Sequence, residues 1–164
     1  RLNEKTWATA RANNKTTAAY AMNEEDITDA LTAPWVMVGS DAILESDHNN
    51  HPRSAGCFSR FIGKYARDKE VISLLDALSR ITILPARLLG TASPSMNLRG
   101  RLQVGAIADI TVFDPTQIVD RATVADPAQE SVGVVHVMVG GQLVRSGGIT
   151  DRTVRPGVPI LRGV

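Results

Sequence analysis

The sequence predicts an α/β fold in two parts: helices around one buried strand, then β-structure of sandwich type. Three observations carry this. The run Val36-Met37-Val38 follows a capped helix at once and is continuously apolar, as a strand covered on both faces is. Between residues 58 and 89 apolar side chains recur at helical spacing. After about Ser93, glycines at 100, 105, 133, 140, 141, 147 and 148 separate short apolar runs.

Taken in order, residues 1–21 are polar and read as loop or weak helix, with Trp7 and Tyr20 as anchors to a body elsewhere. Asn23 caps the first clear helix. Glu24, Glu25 and Asp26 put negative charge in its first turn, and Met22 and Ile27 sit at the positions of a hydrophobic staple. Ile27, Ala30 and Leu31 form its apolar face, and Pro34 stops it. The strand 35–39 follows, then a long loop, 40–57, of a length that is usually functional. Phe58, Phe61, Ile62 and Tyr65 mark one face of the next helix. Ser73 caps another, with Asp76 in the capping-box position and Leu74, Leu75, Leu78 and Ile81 expected to be buried. Pro85 opens a short helix, Ala86 to Leu89, that Gly90 ends. Ile110 to Phe113 is a strand closed by Asp114-Pro115. Val134 to Val139 and Gln142 to Arg145 form a hairpin through Gly140-Gly141. The boundaries expected are 1–92, 93–151 and a basic surface tail, 152–164.

Length and composition narrow the function. A chain of 164 residues holds one medium domain or parts of two. Formal charge of +1 and 4% aromatics give no case for nucleic acid as a partner. No apolar run approaches the roughly 18 residues of a membrane span. A single cysteine excludes an internal disulfide and makes a reducing, cytoplasmic setting the default. The chain begins at Arg1, without Met or a signal-peptide core, and is expected to be a piece of something longer.

Asp41 is the first candidate residue. A carboxylate at the C-terminal tip of a parallel strand stands where α/β enzymes place catalytic groups. The competing reading is an Asx-turn or helix cap after Ser40. His48 and His51 share the loop with Asp47 but form a weak metal pair, since no third ligand recurs at a matching spacing. Arg53 suits a two-point grip on a carboxylate, against a surface salt bridge to Glu45 or Asp47. Cys57 reads as a buried small hydrophobe, His136 as structural, and Asp109 and Asp114 as caps or turn residues. Gly100 and Gly105 lack the Lys-Ser/Thr of a phosphate loop.

Several runs together resemble the C-terminal part of the N-acyl-D-amino-acid deacylases, D-aminoacylase-like members of the metal-dependent amidohydrolase superfamily. They are Tyr20-Ala-Met-Asn-Glu-Glu-Asp-Ile, Pro34 through Gly39-Ser40-Asp41, His51-Pro52-Arg53, Phe58-Ser-Arg-Phe-Ile-Gly-Lys-Tyr-Ala-Arg67 and Leu84-Pro-Ala-Arg87. The match continues through Gly100 to Asp114 and Val137 to Val144. The resemblance implies the last unit or units of a TIM-like barrel followed by the C-terminal strands of a small β-sandwich. It implies hydrolysis of an N-acyl-D-amino acid, with zinc as cofactor. Asp41 would take a proton from the metal-bound water and deliver it to the leaving amine. Arg53 would hold the substrate's α-carboxylate, with Ser40 and His51 of the same motifs beside it. Asp41 is also the one residue left as a weak metal ligand. Ala42 stands where the family has Gly, and the 42–50 loop departs from its pattern, which bears on substrate range.

The metal ligands such a family takes from an upstream His-x-His and later histidines are not in these residues, and a whole barrel needs roughly 250 residues. Alone, the chain is expected to be inactive. Its expected partner is the missing N-terminal part or another copy, with a non-catalytic module or a nicked or swapped assembly as alternative. A second alternative is a cyclic amide substrate, as in dihydroorotase or hydantoinase relatives.

Overall fold

The computed structural model describes residues 3–15, 22–43 and 51–163. Helix α1 (Glu4–Ala12) is better formed than its composition suggests, because Asn3 and Thr6 close a reciprocal cap. The Thr6 amide donates to Asn3 Oδ1 at 2.9 Å, and the Asn3 amide to Thr6 Oγ1 at 2.8 Å. Trp7 stays exposed, with the Arg11 guanidinium 5.2 Å from its ring centre. Its expected companion Tyr20 lies outside the described residues.

Helix α2 (Glu24–Thr32) starts on the expected cap, with Asn23 accepting the Asp26 amide at 2.8 Å. It stops at Ala33, whose φ and ψ of −66° and 125° are those a following proline imposes. Leu31 is buried and Ile27 half-buried, but Ala30 and Met22 are exposed, so the expected staple does not form. Ions fix the first turn instead. Glu24 receives the Lys64 ammonium at 2.5 Å and the Lys69 ammonium at 2.6 Å.

Hydrogen bonding to these two lysines holds the Glu24 carboxyl near a pKa of about 2, below its ordinary 4.5. A carboxyl whose pKa is lowered by folding stabilises the fold above its unfolded value and loses that contribution as pH falls through its folded value. The Glu24 contribution is therefore complete above pH 4.5 and lost between there and about pH 2. Glu24→Gln is expected to flatten the acid limb of a stability–pH curve in this window. Equal acid slopes for the two proteins would refute this.

The predicted buried strand at 35–39 is not present. Val36, Met37 and Val38 are half-buried, and among the described residues no strand lies beside them. A strand exists as one side of a ladder. Here the Val36 amide donates to Ala33 O at 3.2 Å and the Val38 amide to Arg80 O at 3.4 Å.

Helix α3 (Arg53–Arg60) begins earlier than the loop to residue 57 implied, since Pro52, at φ −53° and ψ −30°, already has helical geometry. It runs directly into a π-helical segment (Phe61–Asp68). Phe61, Ile62 and Tyr65 are buried as predicted, whereas Phe58 is exposed. In α4 (Leu74–Ile81) the Ser73 cap forms as expected, accepting the Asp76 amide at 3.1 Å. The expected leucine face does not: Leu75 is 79% exposed and Leu74 is exposed as well. Ala77 and Arg80 are buried in their place, because Arg80 reaches the end of α2. Helix α5 (Ile83–Gly90) opens before Pro85, whose missing N–H is harmless in a first turn. A 3₁₀ turn (Pro94–Leu98) follows.

The core lies between α2, the π-helical segment and α4. Leu31, Phe61, Tyr65, Ala66, Ile72 and Ala77 form it, and Val38 packs against it. The chain leading to Asp41 therefore rests on this core.

The last third forms one antiparallel sheet in the order β1 (Ile110–Phe113), β2 (Val134–Val139), β3 (Gln142–Ser146), β4 (Ile149–Thr150). Gly140 and Gly141 turn at φ 54° and 82°, as predicted. Gly147 and Gly148 repeat the turn at 55° and 83° and add β4, a strand the sequence reading did not draw. Asp109 caps the first turn, accepting the Gly140 amide at 2.8 Å and pairing with Arg99. Asp114 accepts the Thr116 amide at 2.8 Å. His136 accepts the Gly147 amide at 3.4 Å. All three duties are the structural ones expected. Glu130 ties β3 and β4 to the tail through Arg145, Thr150 and Arg152. Among the described residues there is this one sheet and no second sheet facing it.

Ile118 joins the helices to the sheet. Its carbonyl accepts Arg67 Nη1 at 2.7 Å, and a Cβ on Gly133, whose φ is +84°, would meet Ile118 N at 2.5 Å. Residues 152–163 have no regular structure and are mostly exposed. No described helix is long and apolar enough to cross a membrane.

Candidate active site

Residues 39–43 lie along the first turns of α3 and are stitched to it at three points. The Cys57 thiol donates to Gly39 O at 3.5 Å. Arg53 Nε donates to Asp41 O at 2.8 Å. Ser54 Oγ accepts the Ile43 amide and donates to Ile43 O, each at 2.9 Å. Arg53, Ser54 and Cys57 share one face of a helix, so one turn fixes the whole stretch.

Asp41 and Arg53, chosen separately from the sequence, meet. Arg53 Nη2 lies 2.5 Å from Asp41 Oδ2, in addition to the backbone contact. The Asp41 side chain is 82% exposed and that of Arg53 36%. Among the described residues Arg53 pairs with Asp41; Glu45 and Asp47, the other partners the sequence offers, lie outside the described residues, as does His48. Asp41 has φ 47°, a left-handed conformation that aspartate tolerates better than most residues. Ser40, just before that turn, is half-buried.

His51 is half-buried and caps α3. Its Nδ1 accepts the Arg53 amide at 3.1 Å, and its carbonyl accepts the Ser54 amide at 2.9 Å. Cys57 is half-buried. Burial pushes its thiol pKa up, the nearby Asp120 adds to this, and Arg53 opposes it. A raised pKa disfavours the thiolate, and Cys57 is half-buried where the sequence suggested a buried small hydrophobe.

Arg80 was missed from sequence. It is 8% exposed, and its Nη1 donates to Leu31 O at 2.8 Å, Ala33 O at 2.7 Å and Val36 O at 3.4 Å. With its own carbonyl on the Val38 amide, it holds both sides of the path from α2 to Asp41. Its position three residues after Ala77, on the buried face, was the available signal.

Among the described residues, no three His, Cys, Asp or Glu side chains group so as to hold a metal ion. Asp41 offers one carboxylate, already engaged by Arg53. What this site can do by itself is move a proton at Asp41 and bind an anion at Arg53.

Residues 4–145 match the sequence profile of an amidohydrolase family. The chain belongs to that family. An N-acyl-D-glutamate deacylase of Alcaligenes xylosoxydans xylosoxydans is 43% identical over 122 residues, covering 74% of this amidohydrolase chain and 24% of the relative. A D-aminoacylase of the same organism is 38% identical over the same shares. A D-aminoacylase crystal structure superposes with a TM-score of 0.71 at 34% identity, over 80% of this chain and 26% of that one. An N-acyl-D-glutamate deacylase from Bordetella bronchiseptica, complexed with zinc and a phosphonate mimic of the tetrahedral intermediate, gives 0.69 at 37%, over 79% and 28%. This amidohydrolase chain thus spans about a quarter of the length of the relatives it matches.

Proposed function

We propose that this chain is the C-terminal part of an N-acyl-D-amino-acid deacylase, which hydrolyses the amide to a D-amino acid and a carboxylate. The observation that carries the reading is the meeting of Asp41 and Arg53 on one face of α3. In this reading Asp41 accepts a proton from the attacking water and returns it to the leaving nitrogen. Arg53 binds the α-carboxylate, a planar anion suited to its two-point fork. Ser40 and His51 flank the pair. Residues 35–41 form the tip of the last barrel unit, completed by strands of the rest of the protein, and β1 to β4 are a share of a β-sandwich. In this reading the barrel part is 1–92, the sandwich part 93–151 and the tail 152–164.

Exposed apolar side chains support a larger whole. Trp35 is 78% exposed beside the site, and Leu75, Leu102 and Val104 are open as well. Zinc belongs to this reading as a cofactor of the whole protein; the described donors do not make a zinc site.

The test is a hydrolysis panel on the intact protein: N-acetyl-D-amino acids, their L enantiomers and a cyclic amide, with and without a chelator. Release of D-amino acid, lost on chelation, is the expected result. Turnover of the cyclic amide alone, or of none, refutes it.

A further inference from the structure

We infer that Asp41 and Arg53 form a latch that the substrate's α-carboxylate opens, so that carboxylate recognition releases the proton-transferring group. The inference rests on the proposed function and adds a coupling to it.

The two contacts between these residues differ in kind. Nε to the Asp41 carbonyl holds the backbone in place. Nη2 to Oδ2 holds the charge. Together they occupy the Nε–Nη2 edge of the guanidinium. The single hydrogen of Nε is on the Asp41 carbonyl, so a substrate carboxylate gripped at two points takes the remaining Nη1–Nη2 edge. There one cation faces two anions that repel each other, and Nη2 is shared between them. The hold on Oδ2 weakens, while the neutral backbone contact persists. Asp41 then stays where it is with its carboxylate free to accept a proton.

Exposure permits the exchange, since most of the Asp41 carboxylate is open to an incoming anion. The backbone permits it too: the left-handed φ of 47° and the Ser54 clasp on Ile43 hold the loop independently of the ion pair. Charge balances throughout. One guanidinium passes from an internal carboxylate to an external one, and no proton moves in the exchange itself.

The decisive experiment measures binding, not turnover. The probes are N-methanesulfonyl-D-alanine, which cannot be hydrolysed, and N-ethylmethanesulfonamide, its counterpart without the carboxylate. Both are titrated calorimetrically into the intact protein, Asp41→Asn and Arg53→Gln. Asparagine keeps the left-handed turn and the backbone carbonyl but removes the internal competitor. An exposed ion pair is worth enough for Asp41→Asn to tighten the carboxylate probe about fivefold, with the other probe unchanged. Equal or weaker binding of the carboxylate probe by Asp41→Asn overturns the latch. Carboxylate binding that Arg53→Gln leaves intact refutes the grip itself, and with it the proposed role of Arg53. Kinetics give a second reading. In the unaltered protein, N-acetylethylamine is expected to show a lower kcat than N-acetyl-D-alanine as well as a higher KM. Equal kcat values also overturn the latch.

Discussion

Arg80→Met destabilises the protein by about 3 kcal/mol, because it strands buried carbonyls that a charged donor now satisfies. The residues involved make this more than a generic core effect. The carbonyls that close a helix have no partner within it, and α2 has no basic residue in its last turn. Arg80 supplies that cation from α4, donating to Leu31 O and Ala33 O at the end of α2. Leu31 is itself buried in the core, so water does not replace the guanidinium there. Methionine matches the length of the stem and removes only the donors. Arg80→Lys is expected to recover part of the loss, since one ammonium cannot span the same set of acceptors. Urea unfolding measures the change, and amide hydrogen exchange across residues 31–43 locates it. A loss within the roughly 0.5 kcal/mol of an ordinary surface substitution would refute this role.

That Arg80 escaped the sequence reading is instructive beside what did not. Asn23, Ser73 and Gly140-Gly141 were legible because a cap or tight turn is decided by the residues that form it. The strand at 35–39 and the leucine face of α4 depend on partners. Val36 to Val38 carry a buried-strand composition, yet the described residues give them a helix end and Arg80 instead of a ladder. Leu74 and Leu75 read as core because hydrophobicity says that a side chain wants covering, not what covers it. The π-helical turn after Arg60 had no local signature either. At the site, residue types pointed to Asp41 and Arg53 one at a time. Their meeting across twelve positions depends on Pro52 starting α3 directly at Arg53, and on Ser54 clasping Ile43.

Asp41→Asn lowers kcat for N-acyl-D-amino-acid hydrolysis by about 10²- to 10⁴-fold, the range over which a positioned general acid–base group acts. The substitution isolates the proton. Asparagine is nearly isosteric, accepts the left-handed φ of 47°, and leaves the Asp41 carbonyl on Arg53 Nε unchanged. What disappears is a carboxylate able to take a proton and give it back. Arg53→Ala acts on the other half of the pair and is expected to raise KM for substrates bearing an α-carboxylate. The two variants therefore separate in steady-state kinetics: Asp41→Asn in kcat with KM unchanged or lower, Arg53→Ala chiefly in KM. A structural role for the pair, in which the ion bridge only pins the 39–43 stretch to α3, predicts that both variants fall together. A kcat for Asp41→Asn within tenfold of the unaltered protein would remove Asp41 from the chemistry and leave it as the turn residue that its backbone already makes it.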